Sequence, residues 1–202
     1  MNYPKFFDQA PTVTLYDPLA HLLGAVKDGK VTYTYLDAVK LAGHSCPTVA
    51  GAYLMALRGI AALFGDEIPV RGRIAVTLQG SREEGVNGVI ANVLGMITGA
   101  AGDEGFKGMR DLHARNGLLH FHRSLKAPVV MRRTDTSEQV SLTYNPRTAG
   151  IAPITPQLMN RILEGNANVI EADAFAAQWQ HNVRKIFEAH RDPKLIVVET
   201  GI

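Results

Sequence analysis

The segment from Pro47 to Phe64 constrains the fold more than any other part of the sequence, because it is apolar over several helical turns and bounded by helix signals. Pro47 suits the first position of a helix, and Gly65 suits its end. Apolar side chains recur along the segment at helical spacing: Val49, Tyr53, Leu57, Ile60 and Phe64. This spacing predicts a helix that buries one face in a core, with much of its remaining surface made of small residues.

The other predicted elements lie on both sides of this helix. Helices are expected at 17–26, where Asp17 would be the N-cap, and at 36–41, 86–98, 155–163 and 172–190. Strands are expected at 31–35, 73–78, 118–122, 127–132, 139–144 and 195–198, and the group from 118 to 144 is expected to pair antiparallel. Because helices precede and follow a block of strands, the prediction is an α+β protein in which an antiparallel sheet packs against helices around a single compact core. One domain is expected over 1–202, with 1–40 as an N-terminal helical extension.

Composition and charge exclude several classes of protein. The formal net charge is +2, from 21 Lys and Arg against 19 Asp and Glu, and no basic run is long enough for a nucleic-acid tail. The single cysteine cannot form an internal disulfide. The first residues lack the pattern of a signal peptide, and no uninterrupted apolar stretch approaches the ~18 residues of a membrane helix. We therefore expect a soluble, cytoplasmic protein that binds neither nucleic acid nor membrane.

The motif Gly-His-Ser-Cys-Pro at 43–47 is the segment most informative about function. His44 and Cys46 are two apart on a non-helical segment, so their side chains can point the same way. Cys46 would be the N-cap of the helix that Pro47 begins, where free N–H groups and the helix dipole favour negative charge. A thiolate and an imidazole together suit zinc best, with copper or iron as alternatives. The motif therefore predicts a transition-metal site with His44 and Cys46 as ligands.

Two ligands do not complete a zinc site, so further ligands are expected from elsewhere in the chain, from a partner protomer or from water. His122 and His21 are the predicted additions. His120 shares a strand face with His122 if 118–122 is a strand, and His113 lies nearby in the sequence.

The same motif permits two other interpretations. Cys46 with His44 and an acid, Asp103 or Glu104, would form a cysteine-nucleophile site, although no protease signature surrounds the cysteine. A Cys-Pro pair is also typical of haem-regulated proteins, in which Cys46 would be an axial ligand to iron. The glycine-rich segment 99–108 lacks the Lys-Ser/Thr pair of a phosphate-binding loop, so a nucleotide site is not expected there.

The segment GHSCPTVAGAYLMALRGI, starting at Gly43, resembles the opening motif of the FmdE-like family, which is named after a component of formylmethanofuran dehydrogenase. The resemblance covers roughly 44–198. It includes a second helix followed by the pair Thr98-Gly99, and paired strands joined at the Arg-Arg-x-Asp-Thr turn that begins at Arg132.

The resemblance implies an α+β core, commonly a homodimer, with a metal near His44 and Cys46. This sequence lacks the further cysteines that many members have after the second helix, where Ala100 follows Thr98-Gly99, and it lacks the C-terminal zinc finger of some members. Those differences leave histidines as the expected additional ligands. The expected function is metal binding, with metal-assisted chemistry on a small molecule as one role. The alternatives are metal handling, a role as an accessory component of a larger enzyme, or a haem carrier, and whether the chain is an enzyme stays open.

Overall fold

The computed structural model describes residues 2–110, 112–122 and 124–201. The helices are α1 (Pro18–Leu22), α2 (Tyr35–Ala42), α3 (Pro47–Phe64), α4 (Asn87–Thr98), α5 (Pro156–Leu163) and α6 (Val169–Glu188). The strands are β1 (Val13–Tyr16), β2 (Lys30–Tyr33), β3 (Ile74–Gln79), β4 (Leu119–His122), β5 (Val129–Arg133), β6 (Gln139–Tyr144) and β7 (Ile196–Thr200). Short 3₁₀ helices lie at Lys5–Phe7 and Pro146–Ala149.

The larger sheet has five strands in the order β4-β3-β5-β6-β7, and α3 and α4 pack against it. β5 and β6 pair antiparallel, as predicted. The prediction that 118–122 pairs antiparallel is wrong, because β4 pairs parallel with β3, with Val76 opposite Leu119. α4 lies in the connection between these two strands and allows the chain to re-enter the sheet in the same direction. The α+β class is confirmed, and the sheet is mixed.

The first forty residues, predicted as a helical extension with one strand at 31–35, contain two paired strands, and β2 overlaps the predicted one. β1 and β2 pair antiparallel, with Leu15 opposite Val31. Asp17 is the N-cap of α1, as predicted, and its carboxylate accepts the backbone N–H groups of Leu19 and Ala20 at 3.0 and 3.1 Å. The helix itself is only five residues long, so it is shorter than the sequence pattern indicated.

The helix α3 lies at the centre of one continuous cluster of buried apolar side chains, and its bounds agree with the prediction. Its glycines allow side chains of the sheet to approach closely. The ring of Tyr144 lies against Gly51, and a Cβ at Gly59 would meet the sulfur of Met131 at 2.5 Å. The small residues of α3 therefore serve tight packing, as their pattern indicated.

By length and composition, α3 is also one helix of the described chain that could cross a membrane. In the fold, 67% of the helix is buried by other elements. Core helices of globular proteins meet the same test, so this property is weak support for a membrane location.

The candidate functional residues lie near the two opposite edges of the larger sheet at which its strands begin and end. We call the edge formed by the last residues of β3, β4 and β6 the carboxyl edge; these residues are Gln79, His122 and Tyr144. The hydroxyl of Tyr144 donates to the Pro47 carbonyl oxygen at 2.9 Å, so α3 begins at the carboxyl edge. The Gly72 N–H, just before β3, donates to the Thr98 carbonyl oxygen at 2.8 Å. α4 therefore begins at the carboxyl edge and ends at the opposite one.

Candidate functional site

Cys46 is the N-cap of α3, in the position that the sequence predicted. Its backbone is extended (φ −150°, ψ 168°), and its Sγ accepts the backbone N–H of Val49 at 3.4 Å. The helix that follows has 18 residues, and the positive end of its dipole points at the sulfur. Cys46 is buried, with 8% of the residue exposed. A soft metal-ligand atom thus lies where the fold favours negative charge.

His44 is exposed to solvent two residues before the cysteine, and one of its ring nitrogens is held by the backbone. Nδ1 lies 2.9 Å from the carbonyl oxygen of Ala42. Because a carbonyl oxygen can only accept, Nδ1 carries a proton in this contact, and the neutral ring has its lone pair on Nε2. Metal-binding histidines commonly have this arrangement, in which the nitrogen that is not coordinated donates to a carbonyl or carboxylate.

Ser45, between the two candidate ligands, connects the motif to α6 and α2. Its carbonyl oxygen accepts the indole N–H of Trp179 at 2.9 Å and the side-chain amide of Gln180 at 3.2 Å. Its hydroxyl lies 2.9 Å from the hydroxyl of Tyr35. The other amide atom of Gln180, Oε1, is buried and has no hydrogen-bond partner among the described residues. An unused acceptor therefore lies beside the motif.

Two tyrosines lie near the cysteine: Tyr35 is buried, and Tyr144 is partly buried. Burial raises the pKa of Tyr144, and the charges of Cys46 and Tyr35 raise it further. Burial also raises the pKa of Tyr35; its hydrogen bond with Ser45 lowers it in part, and Cys46 raises it. Both phenols stay protonated at neutral pH. They cannot serve there as general bases, and the Tyr144 proton is already donated to the Pro47 carbonyl oxygen.

His122 lies on the carboxyl edge but on a distant strand. β3 and β5 separate β4 from the strand of Tyr144, which corresponds to three strand spacings, or roughly 14 Å. The backbone N–H of Ser124 donates to His122 Nδ1 at 3.3 Å, so the neutral ring carries its proton on Nε2. Within one chain, the structure does not bring His122 to the His44–Cys46 motif.

His21 lies near the opposite edge of the sheet. It is on α1, whose N-cap Asp17 forms an ion pair with Arg71 at 2.9 Å. Arg71 also donates to the carbonyl oxygen of Met96, near the end of α4, at 2.9 Å. Since the 12 residues of α4 span roughly 18 Å, His21 and the motif lie at opposite ends of this helix.

The remaining candidates from the sequence are also dispersed. His120 is exposed on the same face of β4 as His122, as predicted. Glu104 forms an exposed ion pair with Arg82 at 3.6 Å. Across residues 2–110, 112–122 and 124–201, no group of three or more His, Cys, Asp or Glu side chains is arranged to hold a metal ion. His44 and Cys46, two residues apart in one motif, are therefore the predicted ligands that lie close to each other along the chain.

A cleft of about 720 Å³ opens at the carboxyl edge, where α4 begins. It is lined by Gln79, Gly80, Glu84, Gly85, Val86, Asn87 and Pro128. The Asn87 side-chain amide donates to the carbonyl oxygens of Gln79 and Ser81 at 2.7 and 2.9 Å, which fixes the loop between β3 and α4. Ligands commonly bind beyond the carboxyl ends of parallel strands, so the cleft is a suitable place for a small molecule.

Four side chains of the site were not singled out as functional from the sequence: Tyr35, Tyr144, Trp179 and Gln180. Trp179 was predicted only as part of the apolar face of a helix. Its indole N–H was a usable signal, since a buried tryptophan usually needs a hydrogen-bond acceptor. No local pattern indicated that this acceptor would be a carbonyl more than 130 residues earlier in the chain.

The sequence was compared with models of known protein families and with curated proteins, and neither comparison finds a match. The resemblance to the FmdE-like family consequently stays a prediction that rests on its sequence motifs.

Proposed function

We propose that this chain binds a transition-metal ion, with zinc as the first candidate, through His44 and Cys46. The observation that carries the proposal is the contact of His44 Nδ1 with the Ala42 carbonyl oxygen at 2.9 Å. This contact leaves the Nε2 lone pair of His44 available to bind a metal ion, two residues before Cys46. Oε1 of Gln180 is buried and has no hydrogen-bond partner among the described residues. It supports the same location, because a bound ligand with an N–H or O–H group would satisfy it.

The donor set fits such an ion in part. An imidazole nitrogen and a cysteine sulfur are ligands that zinc prefers, but zinc takes four ligands. The predicted additions from the same chain, His122 and His21, lie across the sheet and at its opposite edge. The remaining positions would therefore be filled from a second copy of the chain or by non-protein ligands. A site of this kind supplies a Lewis acid when it holds its metal.

We also propose that the chain forms a homodimer through α5 and the first half of α6. Leu163, Val169 and Ile170 are 76%, 75% and 80% exposed on these helices. Met159 of α5 and Phe175 and Trp179 of α6 line an apolar cavity of about 370 Å³ on the same two helices. Exposed apolar patches of this kind often mark protein interfaces. Because Trp179 also bonds to Ser45, a partner bound here would lie near the metal-site motif.

A catalytic role on a small molecule is the second part of the proposal, and the cleft of about 720 Å³ is the observation that favours it. The cleft and the motif share the carboxyl edge. The rival role is non-catalytic metal handling or service as an accessory component of a larger enzyme. Turnover of a small molecule by the metal-loaded protein, lost in Cys46→Ser, would separate the two roles.

The test is elemental analysis of the full chain, purified without added metal, alongside Cys46→Ser and His44→Gln. His181→Gln is the matched control, because His181 is on α6 and contacts Arg184. We expect about one zinc per chain in the parent and the control and none in Cys46→Ser. Full metal content in Cys46→Ser would refute the site. An absorption spectrum of the same samples detects haem, which would favour the axial-ligand interpretation instead.

Dimerisation has its own test, so that its failure does not decide the metal site. Light scattering at micromolar concentration should give twice the chain mass for the parent. Ile170→Glu places a charge on the exposed apolar surface and should give a monomer with unchanged helix content. A parent that is monomeric would refute the interface and would leave the metal analysis standing.

A further inference from the structure

One side of β1 faces away from β2, and its backbone is paired there only at Tyr16. The N–H of Tyr16 donates to the Pro69 carbonyl oxygen at 2.9 Å, and its carbonyl oxygen accepts the N–H of Arg71 at 2.9 Å. The next residue, Asp17, bonds in the other direction, to the Gly29 carbonyl oxygen at 2.7 Å on the side of β2. Successive residues of β1 therefore direct their backbone groups to opposite sides.

The same alternation places the N–H and C=O groups of Thr14 on the side of Tyr16, away from β2. The Thr14 and Thr32 hydroxyls lie 2.7 Å apart, which agrees with the closer, non-hydrogen-bonded type of antiparallel pair. No backbone group within the described residues bonds to Thr14 on its outward side. This part of β1 is thus a free strand edge, next to the place where 69–71 already pairs with it.

A groove of about 380 Å³ lies along this free edge. Its wall opposite β1 is the second half of α3, where Leu57 and Ala61 are one helical turn apart and Phe64 follows. Ala61 is exposed, and Leu57 is only partly buried. The groove thus combines unpaired backbone groups on one side with an apolar surface on the other. Strand-adding peptides use these two features for affinity and for side-chain selection.

The charges at the rim are mainly positive. Arg58 and Arg191 both line the groove, and neither has an ion-pair partner among the described residues. Of the described residues that line the groove, Glu67 alone carries a carboxylate, and this carboxylate forms an ion pair with Arg133 at 3.3 Å. A partner with negative charge beside its apolar side chains would therefore be complementary to the groove.

We propose that this groove binds an extended, acidic segment of another protein, which adds as a strand to β1. Outward backbone groups of Thr14 would pair with the segment, and its apolar side chains would lie on Leu57 and Ala61. Its carboxylates would meet Arg58 and Arg191. The contact covers about four residues of the partner, roughly 13 Å of strand, because 69–71 occupies the edge beyond Tyr16. This site is independent of the proposed metal site.

The test uses the full chain and a fluorescein-labelled acetyl-Glu-Val-Thr-Val-Glu peptide, with fluorescence anisotropy as the readout. We expect saturable binding at micromolar concentrations, and about tenfold or more weaker binding of the peptide with lysine in place of both glutamates. Ala61→Trp, which fills the groove, should weaken binding by about tenfold or more. Ala62→Trp is the matched control, because Ala62 is also exposed but lines a different cavity.

Thr14→Pro removes the outward N–H from an edge position, where proline is tolerated, and should weaken binding by a similar factor. Thr32→Val removes only the paired hydroxyl and should leave binding unchanged. If Thr14→Pro does not fold, Ala61→Trp against Ala62→Trp still decides the question. The proposal is overturned if the acidic peptide does not bind up to about 1 mM, if the lysine peptide binds equally well, or if Ala61→Trp has no effect.

Discussion

Replacing Asp17 with asparagine should destabilise the fold strongly, because this carboxylate joins the N-terminal hairpin to the rest of the core. One oxygen accepts Arg115 Nη2 at 2.7 Å, and the other accepts Arg71 Nη1 at 2.9 Å. The first oxygen also caps α1 by accepting the N–H groups of Leu19 and Ala20. Asparagine is as good an N-cap as aspartate, so Asp17→Asn keeps the cap and removes the charge.

The magnitude follows from how deeply the three charges are buried. The side chains of Asp17 and Arg115 are 7% and 8% exposed, and that of Arg71 is 22% exposed. Nε and Nη1 of Arg115 are buried without partners among the described residues, so Asp17 is the only acceptor of its guanidinium there. Removing one partner of a buried ion pair costs ~3–5 kcal/mol. We expect a loss of about 3 kcal/mol, at the low end, because Arg71 retains two backbone acceptors.

The stability lost in Asp17→Asn should decrease as the pH falls. Burial tends to raise the pKa of Asp17, but the hydrogen bonds from Arg71 and Ala20 and the charges of Arg115 and Arg71 together lower it below its usual value. A lowered folded-state pKa gives stability that is present above the unfolded-state pKa, about 4, and is lost as the pH falls through the folded-state value. The parent should therefore approach Asp17→Asn in stability below about pH 4.

Urea unfolding of both proteins at pH 7 and at about pH 3 measures these effects. Asp173→Asn is the control, because Asp173 is exposed on α6, and its free energy of unfolding should change by less than about 0.5 kcal/mol. A difference below about 1 kcal/mol between the parent and Asp17→Asn at pH 7 would show that the buried charge cluster does not hold the hairpin. A difference that is the same at both pH values would show that folding does not lower the pKa of Asp17.

Three further changes test other contacts. Gly99 and Gly43 both end helices with positive φ, but a Cβ would meet Arg115 Nη1 at 2.8 Å at Gly99 and nothing within 4 Å at Gly43. Gly43→Ala should therefore cost only the backbone strain, about 1 kcal/mol. Gly99→Ala adds a steric clash and should lower the melting temperature clearly more. Tyr53→Phe should lower the free energy of unfolding, measured in urea, by about 1–2 kcal/mol. The Tyr53 hydroxyl donates to two backbone carbonyl oxygens at 2.7 and 3.1 Å, and both would lose this donor. Trp179→Phe removes the 2.9 Å indole bond to Ser45 in the His44–Cys46 motif. If the proposed zinc site is correct, this change should weaken zinc affinity, measured by competition with a chelator, without removing the metal.

Sequence patterns predicted the helices best where local signals were complete. α3 begins at the predicted Pro47 and ends at the predicted Phe64, since a proline, a glycine and a long apolar repeat define it. The N-caps at Asp17 and Cys46 were also predicted correctly, because capping depends on residues within one turn. The geometry of the motif around Cys46 was consequently accessible before any tertiary contact was known.

The errors concern pairings between distant parts of the chain. β4 was assigned to the antiparallel group because it is close in sequence to β5, but β3 is its neighbour in the sheet. β1 was missed because Val13–Tyr16 is short and obtains its order from pairing with β2. His122 was added to the predicted metal site because it shares a strand face with His120, and His21 because its helix could approach the motif. Their distance from the motif depends on this same topology, which neither local pattern contains. A strand too short to be stable alone takes its register from its partners, so its local pattern is weak.

A small residue of α3 also helps to position Cys46 at the start of this helix. Gly51 allows the ring of Tyr144 to lie directly on the helix, and the tyrosine hydroxyl then reaches the Pro47 carbonyl oxygen at 2.9 Å. This contact fixes the start of α3 against the carboxyl edge, and Ser45 is fixed independently by Trp179. Cys46 lies between these two attachments. Its sulfur is therefore positioned by packing on both sides, which is the condition that a preorganised ligand requires.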